Sequence, residues 1–143
     1  MRYNLRVDTL RNPILSGREE LVITFIQCIR KKPEISIQDF RQSWRAYQAK
    51  ATELGKAVNA IGLTFSTTLA VDENLQVMLA RGTSEPYDGL VEFRVSNAPK
   101  MLERLQEEPA KSILEELQLL QAELIDLENS SFFFASEDVA IRR

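Results

Sequence analysis

Two carboxylates stand near the predicted start of a strand, and they are the side chains best suited to moving protons. Asp88 and Glu92 are four residues apart, and because side chains alternate along a strand, we expect both on one face. In a partly closed cavity, desolvation raises the pKa of one carboxyl and makes it an acid or a base. The alternative is structural: Glu92 pairs with Arg94, and Asp88 hydrogen-bonds the turn at Gly89.

A second group of candidates lies on a predicted helix. Trp44 and Gln48 are one helical turn apart, with Tyr47 beside them, so that an indole and an amide could line a pocket rim and orient a flat ligand. Core packing, with the indole N–H satisfied inside the protein, is the alternative. Cys28 lies in an apolar strand, and because the chain has no histidine to activate its thiol, we expect it to be buried and inert.

Composition argues against several other kinds of chemistry. One cysteine and no histidine leave no zinc site of the usual ligands, and no phosphate-binding glycine loop or nucleophile elbow occurs, so we expect no cofactor and no metal. Basic residues are scattered except for Arg30-Lys31-Lys32, where no aromatic residue interleaves. We therefore interpret this triplet as a solvated turn and expect no nucleic-acid partner.

The location is predicted from the same composition. No apolar run reaches the ~18 residues of a membrane span, and the first residues lack the apolar stretch of a signal peptide. A single cysteine, Cys28, forms no disulfide within the chain, which favours a reducing cytoplasm. We therefore expect a cytoplasmic protein without a membrane partner.

Length and periodicity predict one domain behind an extension. The 143 residues are 44% hydrophobic and 27% charged, which is enough to bury a core. Residues 1–20 show no sustained periodicity and are interpreted as an N-terminal extension, with a short strand around Tyr3–Val7, before a domain over 21–143. A helix over about 37–58 begins at the N-cap Ser36. Residues 72–89 are predicted to be irregular, with one or two helical turns within Leu75–Ala80.

The remaining elements follow from β-branched runs and from helix signals. A second helical region starts at Asn97, tolerates Pro99 in its first turn and is broken by Pro109. The predicted strands are Leu21–Ile29, Leu63–Leu69, Leu90–Val95 and Ser131–Ala135.

The resulting order, β-α-β-β-α-β, predicts an α+β fold of the ferredoxin-like type. In it an antiparallel four-stranded sheet carries helices on one face only. The other face is expected to carry Thr24, Ile26, Cys28, Thr64, Ser66, Thr68, Leu90, Glu92 and Arg94. Such a partly apolar open face is commonly covered by a second copy of the chain, which predicts a homodimer.

Three segments, in order, resemble proteins of the EthD-domain family. They are the strand and helix start within 29–45, the Tyr87-Asp88-Gly89 strand with Glu92, and the closing strand within 125–139. The resemblance covers roughly 21–140 and implies a dimeric α+β barrel in which two sheets face each other and enclose a small cavity. We expect Thr64, Ser66 and Arg94, on the open face that would turn to this cavity, to bind its ligand, together with Tyr87, Trp44, Tyr47 and Gln48.

The family includes polyketide cyclases, dehydratases, a lactone isomerase and proteins that accompany ether degradation. The resemblance therefore implies a cofactor-independent lyase, cyclase or isomerase that acts on a small hydrophobic molecule of aromatic or polyketide-like type, with Glu92 or Asp88 moving protons. One departure opposes this. Family members usually carry a histidine where Gln48 stands, and an acidic pair is replaced by Leu120-Gln121. The alternatives are a non-catalytic small-molecule binding or carrier dimer, and a purely structural dimer with a filled cavity.

Overall fold

A computed structural model describes residues 22–143. The predicted extension over 1–20 and the strand expected around Tyr3–Val7 lie outside these residues. The elements, in chain order, are β1 (Ile23–Ile29), α1 (Ile37–Ala57), β2 (Gly62–Thr67), α2 (Asp72–Arg81), β3 (Gly89–Val95), α3 (Ala98–Arg104), α4 (Ala110–Leu124), a 3-10 turn (Leu127–Asn129) and β4 (Ser131–Ser136). No helix among the described residues is long and apolar enough to cross a membrane.

The four strands form one antiparallel sheet in the order β2-β3-β1-β4. Phe25 in the central strand β1 stands opposite Phe93 on one side and Phe134 on the other. Every second side chain of each strand, the set that includes Phe25, packs against the helices in a single core. The side chains between them face away from the helices, on the open face of the sheet. The predicted α+β, ferredoxin-like sheet with helices on one face is confirmed.

The first helix begins and ends for local reasons. The Ser36 Oγ accepts a hydrogen bond from the Asp39 N–H at 3.1 Å, which satisfies one of the free donors of the first turn. After Ala57 the chain turns at Asn59, whose φ of 54° is left-handed. Along the buried face lie Phe40, Trp44, Tyr47, Ala51 and Leu54.

A row of aromatic rings holds α1 against the sheet. The Trp44 ring lies so close to β3 that a Cβ added to Gly89 would be 2.7 Å from it, so only glycine fits there. The indole Nε1 donates to the Thr67 Oγ1 of β2 at 3.0 Å. Phe40 and Tyr47 stack on either side, with ring centroids 5.5 and 5.3 Å from Trp44. The row therefore fixes α1 over both β2 and β3.

The prediction for residues 72–89 is wrong in its extent of helix, because α2 runs for ten residues over Asp72–Arg81. It has acidic residues in its first turn, which suit the helix dipole, and it ends at Gly82 in the left-handed region, φ 67°. None of its residues is buried. The apolar periodicity on which helix prediction depends is therefore weak here.

Candidate functional site

The structure divides the predicted site residues among three places. Thr64, Ser66, Glu92 and Arg94 share the open face of the sheet, because their parity in the strand register is opposite to that of the core. Trp44 and Tyr47 lie in the core on the other side of the sheet, and Gln48 is half-buried on α1. Tyr87 and Asp88 lie just before β3 at one end of the sheet.

On the open face, Glu92 is paired with Arg94. The Arg94 Nη2 lies 2.6 Å from a Glu92 carboxylate oxygen, and its Nη1 donates to the Thr64 Oγ1 at 3.2 Å. Roughly a quarter of each charged side chain is exposed, 26% for Arg94 and 30% for Glu92. The pair with Arg94 is the structural alternative to a catalytic role for Glu92. It engages the carboxylate that a general base would need free.

A third member of this ion cluster, Glu137, was not among the predicted residues. The Arg94 Nε donates to a Glu137 carboxylate oxygen at 2.7 Å, and the same oxygen accepts from the Thr24 Oγ1 at 3.4 Å. The hydrogen bond from Arg94 holds the pKa of Glu137 below its ordinary value. Glu137 follows β4 and reaches over β1 to β3. The alternation of side chains along β4, continued to the residue after the strand, would have placed Glu137 on this face. That Arg94 is its partner follows only from the order of the strands in the sheet.

The Asp88 carboxylate does not make the predicted hydrogen bond to the turn at Gly89 but binds the end of β1. Its carboxylate accepts a hydrogen bond from the Lys31 backbone N–H at 2.8 Å, while its own N–H donates to the Ile29 carbonyl at 2.8 Å. Asp88 therefore ties the start of β3 to the end of β1. Four extended residues span about 13 Å, so Asp88 and Glu92 do not act together on one bond even though their parity is the same.

Trp44 and Tyr47 face the core and do not line a surface pocket. Tyr47 is fully buried. Its hydroxyl donates to the Gln27 amide oxygen at 2.6 Å and accepts from the Gln121 amide at 3.0 Å. Burial raises the pKa of Tyr47 to about 12, so the phenol stays protonated at neutral pH. Both rings follow the core alternative, and ligand binding by Gln48 stays a prediction.

A cleft of about 310 Å³ opens where α1 begins, and we call it the α1 start cleft. It lies between α1, α2 and the segment before β3, and it is where Tyr87 and Asp88 meet apolar side chains of both helices. Among its lining residues are Ile37, Phe40, Leu75, Met78, Tyr87 and Asp88.

Arg30 holds one wall of this cleft in place. Its guanidinium donates to the carbonyls of Glu85 at 2.9 Å and Pro86 at 3.2 Å, and it lies 4.4 Å from the centre of the Tyr87 ring. Arg30 belongs to the basic triplet interpreted as a solvated turn. The structure corrects this for Arg30, because the neighbouring carbonyls and ring give a half-buried cation its partners.

Metal and thiol chemistry receive no support from the described residues. Within 22–143, no group of histidine, cysteine or acidic side chains is placed to hold a metal ion. Cys28 is half-buried on the open face rather than buried, and desolvation raises the pKa of its thiol. A raised pKa leaves less thiolate at neutral pH and so disfavours a nucleophilic role.

Comparisons with known proteins identify relatives by fold only. No protein-family model matches the sequence, and a search of curated proteins finds no match. Among solved structures, a hydroxynitrile lyase from Passiflora edulis is similar with a TM-score of 0.57 and 11% identity, over 87% of this chain and all of that one. An EthD family protein from Bacillus halodurans has a TM-score of 0.54 and 13% identity, over 82% of this chain and all of the other. A protein from Thermobifida fusca, described as dimeric and ferredoxin-like, has a TM-score of 0.56 and 10% identity, over 83% of this chain and 93% of the other.

The ion cluster predicts a specific dependence of stability on pH. Because the folded-state pKa of Glu137 is lowered, its ionised form stabilises the fold at neutral pH, and this stabilisation is lost as the pH falls through the lowered pKa. We expect Glu137→Gln to have a lower melting temperature than the wild type at neutral pH and the same one below that pKa. Glu115→Gln, an exposed position on α4, is the control. A wild type that keeps its advantage in acid would contradict the assignment.

Proposed function

We propose that this chain is a homodimeric, EthD-like protein that binds a small, mainly apolar molecule in the α1 start cleft without transforming it. The observation that carries this proposal is the cleft itself. Its volume of about 310 Å³ is at the lower end of ligand pockets, which are typically lined by apolar groups with a few polar ones. Ile37, Leu75 and Met78 belong to the apolar part of the lining. The polar part consists of Arg41, Thr68, Asn74, Glu85, Tyr87 and Asp88.

Binding is preferred to catalysis because the described acid–base groups are engaged elsewhere. Glu92 is paired with Arg94 on the open face, away from this cleft. The Tyr47 phenol lies in the core with both of its hydrogen-bond partners inside the protein. Where the family resemblance implies a histidine, the chain has Gln48. A ligand in the α1 start cleft would therefore meet the carboxylates of Glu85 and Asp88, of which Asp88 is the half-buried one.

The homodimer is part of the proposal and rests on the open face of the sheet. Ile26, Leu90 and Phe133 are on that face by register, and Phe133 is 44% exposed. Covering these side chains with a second copy would remove their apolar surface from water. The similar protein from Thermobifida fusca is itself described as dimeric, which supports the same assembly here.

Catalysis is the second candidate, and one observation favours it. Asp88 lines the cleft, is half-buried, and receives only one hydrogen bond on its carboxylate from the described residues. A carboxylate in apolar surroundings can take a proton from a bound molecule. A lyase, cyclase or isomerase acting on an aromatic molecule would use Asp88 in this way.

The first prediction concerns the ligand. We expect 2-naphthol, a neutral aromatic probe, to give a saturation-transfer NMR signal with the wild type. Leu75→Glu should weaken its binding by about tenfold or more, because the probe would then bury a charged group. Leu79→Glu is the matched control, since Leu79 is on the same helix, is 72% exposed and lies outside the cleft lining. Equal loss in both variants, or no signal with the wild type, would refute the assignment of the cleft.

The second prediction separates binding from catalysis. We expect no benzaldehyde release from mandelonitrile, a cyanohydrin, above the rate in buffer alone. Asp88→Asn keeps an acceptor for the Lys31 N–H but removes the basic oxygen. If the wild type does release benzaldehyde and Asp88→Asn lowers the rate by roughly 10²–10⁴, the protein is an enzyme and the binding proposal fails.

The third prediction concerns assembly. Sedimentation at micromolar concentration should give a dimer, with an interface above the ~1,200 Å² of weak encounters. Phe133→Glu should shift the protein to the monomer, because a dimer would then bury an unpaired charge in its interface. Leu119→Glu, at a position 68% exposed on α4, should leave the dimer intact. A monomeric wild type would remove the dimer from the proposal.

A further inference from the structure

A second cleft, also of about 310 Å³, lies where α1 ends, and we call it the α1 end cleft. Because α1 has 21 residues at 1.5 Å each, the two clefts are about 30 Å apart. The second cleft shares no lining residue with the first. It lies between the end of α1, the end of β3 and the side of α3.

The floor of this cleft is apolar. Val58, Val95 and Met101 line it, and each is less than a tenth exposed. These side chains leave only a small apolar area open to water. A ligand with an apolar part would cover that area and shield its own apolar surface at the same time. A fully hydrated inorganic ion has no such part.

Among residues 22–143, the walls of the cleft carry two cations and no carboxylate. Lys100 and Arg104 line it, together with Ser96, Asn97 and Asn59. The chain carries a net charge of −3, so its overall charge repels anions. An anion in this cleft is therefore attracted by the local charges and not by the net charge. The charge pattern therefore favours the binding of an anion in this cleft over a general attraction of anions to the protein surface.

The side-chain oxygens of Asn97 and Asn59, which line the cleft, already accept hydrogen bonds within the protein. The Asn97 side-chain oxygen accepts from the Lys100 backbone N–H at 2.9 Å. The Asn59 oxygen, in the amide orientation that its neighbours favour, accepts from Arg104 at 2.7 Å. Both amide nitrogens are left as donors, which suit an anion.

The two cations differ in how firmly they are held. Arg104 is half-buried and also donates to the Val58 carbonyl at 3.3 Å, which holds its guanidinium at the end of α1. Lys100 is exposed, and its ammonium makes no hydrogen bond or ion pair with any other residue in 22–143. Arg104 is a cation fixed in position, and the Lys100 ammonium has its N–H donors available. Together they can hold a carboxylate.

We propose that the α1 end cleft binds a small organic acid, with its carboxylate between Lys100 and Arg104 and its apolar body on Val58, Val95 and Met101. This site goes beyond the proposed function, because it is separate from the α1 start cleft and stands or falls independently of it. The apolar floor selects an organic acid over inorganic phosphate, and the cations select an acid over a neutral molecule of the same shape.

The test is a titration of the full-length protein with benzoate, followed by the backbone amide signals of Ser96, Asn97 and Lys100 in NMR spectra. We expect these signals to shift in a saturable way. Benzamide, which has nearly the same shape without the charge, and inorganic phosphate, which has charge without the apolar body, should each bind at least about tenfold more weakly.

Lys100→Gln should weaken benzoate binding by about tenfold or more, because a charge-assisted hydrogen bond is lost, while the melting temperature stays the same. Lys111→Gln is the matched control, because Lys111 is also an exposed lysine but lies on α4, outside the cleft. The proposal is overturned if benzoate shifts none of these signals, if benzamide or phosphate binds as well, or if the two variants behave alike.

One internal competitor is also tested. Glu19 and Glu20 stand shortly before β1 in the sequence, and Ile23 of that strand pairs with Val95 of the cleft. The double variant Glu19→Gln/Glu20→Gln should bind benzoate with wild-type affinity. If benzoate binds only to the double variant, the carboxylates of the chain itself fill the site, and the proposal of a free ligand fails.

Discussion

The contact between the Trp44 indole and Gly89 is the constraint on which the rest of the structure depends. The ring lies where a side chain on residue 89 would be, so α1 approaches β3 closely only because that residue is glycine. The hydrogen bond to Thr67 then prevents the helix from sliding along the sheet. The buried face of α1 continues from Phe40 to Val58, and a cleft lies beside each end of the helix.

A buried polar group makes the helix-covered side of the sheet a closed core. The Tyr47 hydroxyl joins α1 to Gln27 of β1 and to Gln121 of α4, and the described residues contain no buried side-chain polar atom without a partner. A satisfied network of this kind leaves no spare donor or acceptor for a ligand. The proposed ligand sites therefore lie outside this core, at the ends of α1.

The sequence predicts the fold well and the site poorly, for one physical reason. Strands and helices follow from local patterns, such as the alternation of Val91, Phe93 and Val95, and few topologies suit the order β-α-β-β-α-β. The site contacts join distant residues: Asp88 and Lys31 are 57 positions apart, and Arg94 and Glu137 are 43 apart. Local patterns do not contain these pairings. The full length of α2 escaped prediction because the helix buries no residue.

The ion cluster explains how a charged group can occupy a face that a second copy is proposed to cover. Burying a charge is costly when it is unpaired, and far less so when its partner accompanies it. Arg94 already has the carboxylates of Glu92 and Glu137 and the Thr64 hydroxyl around it. The Arg142 guanidinium, 3.9 Å from Glu137, offsets the second carboxylate. The apolar side chains Ile26, Leu90 and Phe133 are then free to supply the association energy. In such a dimer the cluster would orient the two faces, while the ligand clefts at the ends of α1 remain on the helix side of each subunit.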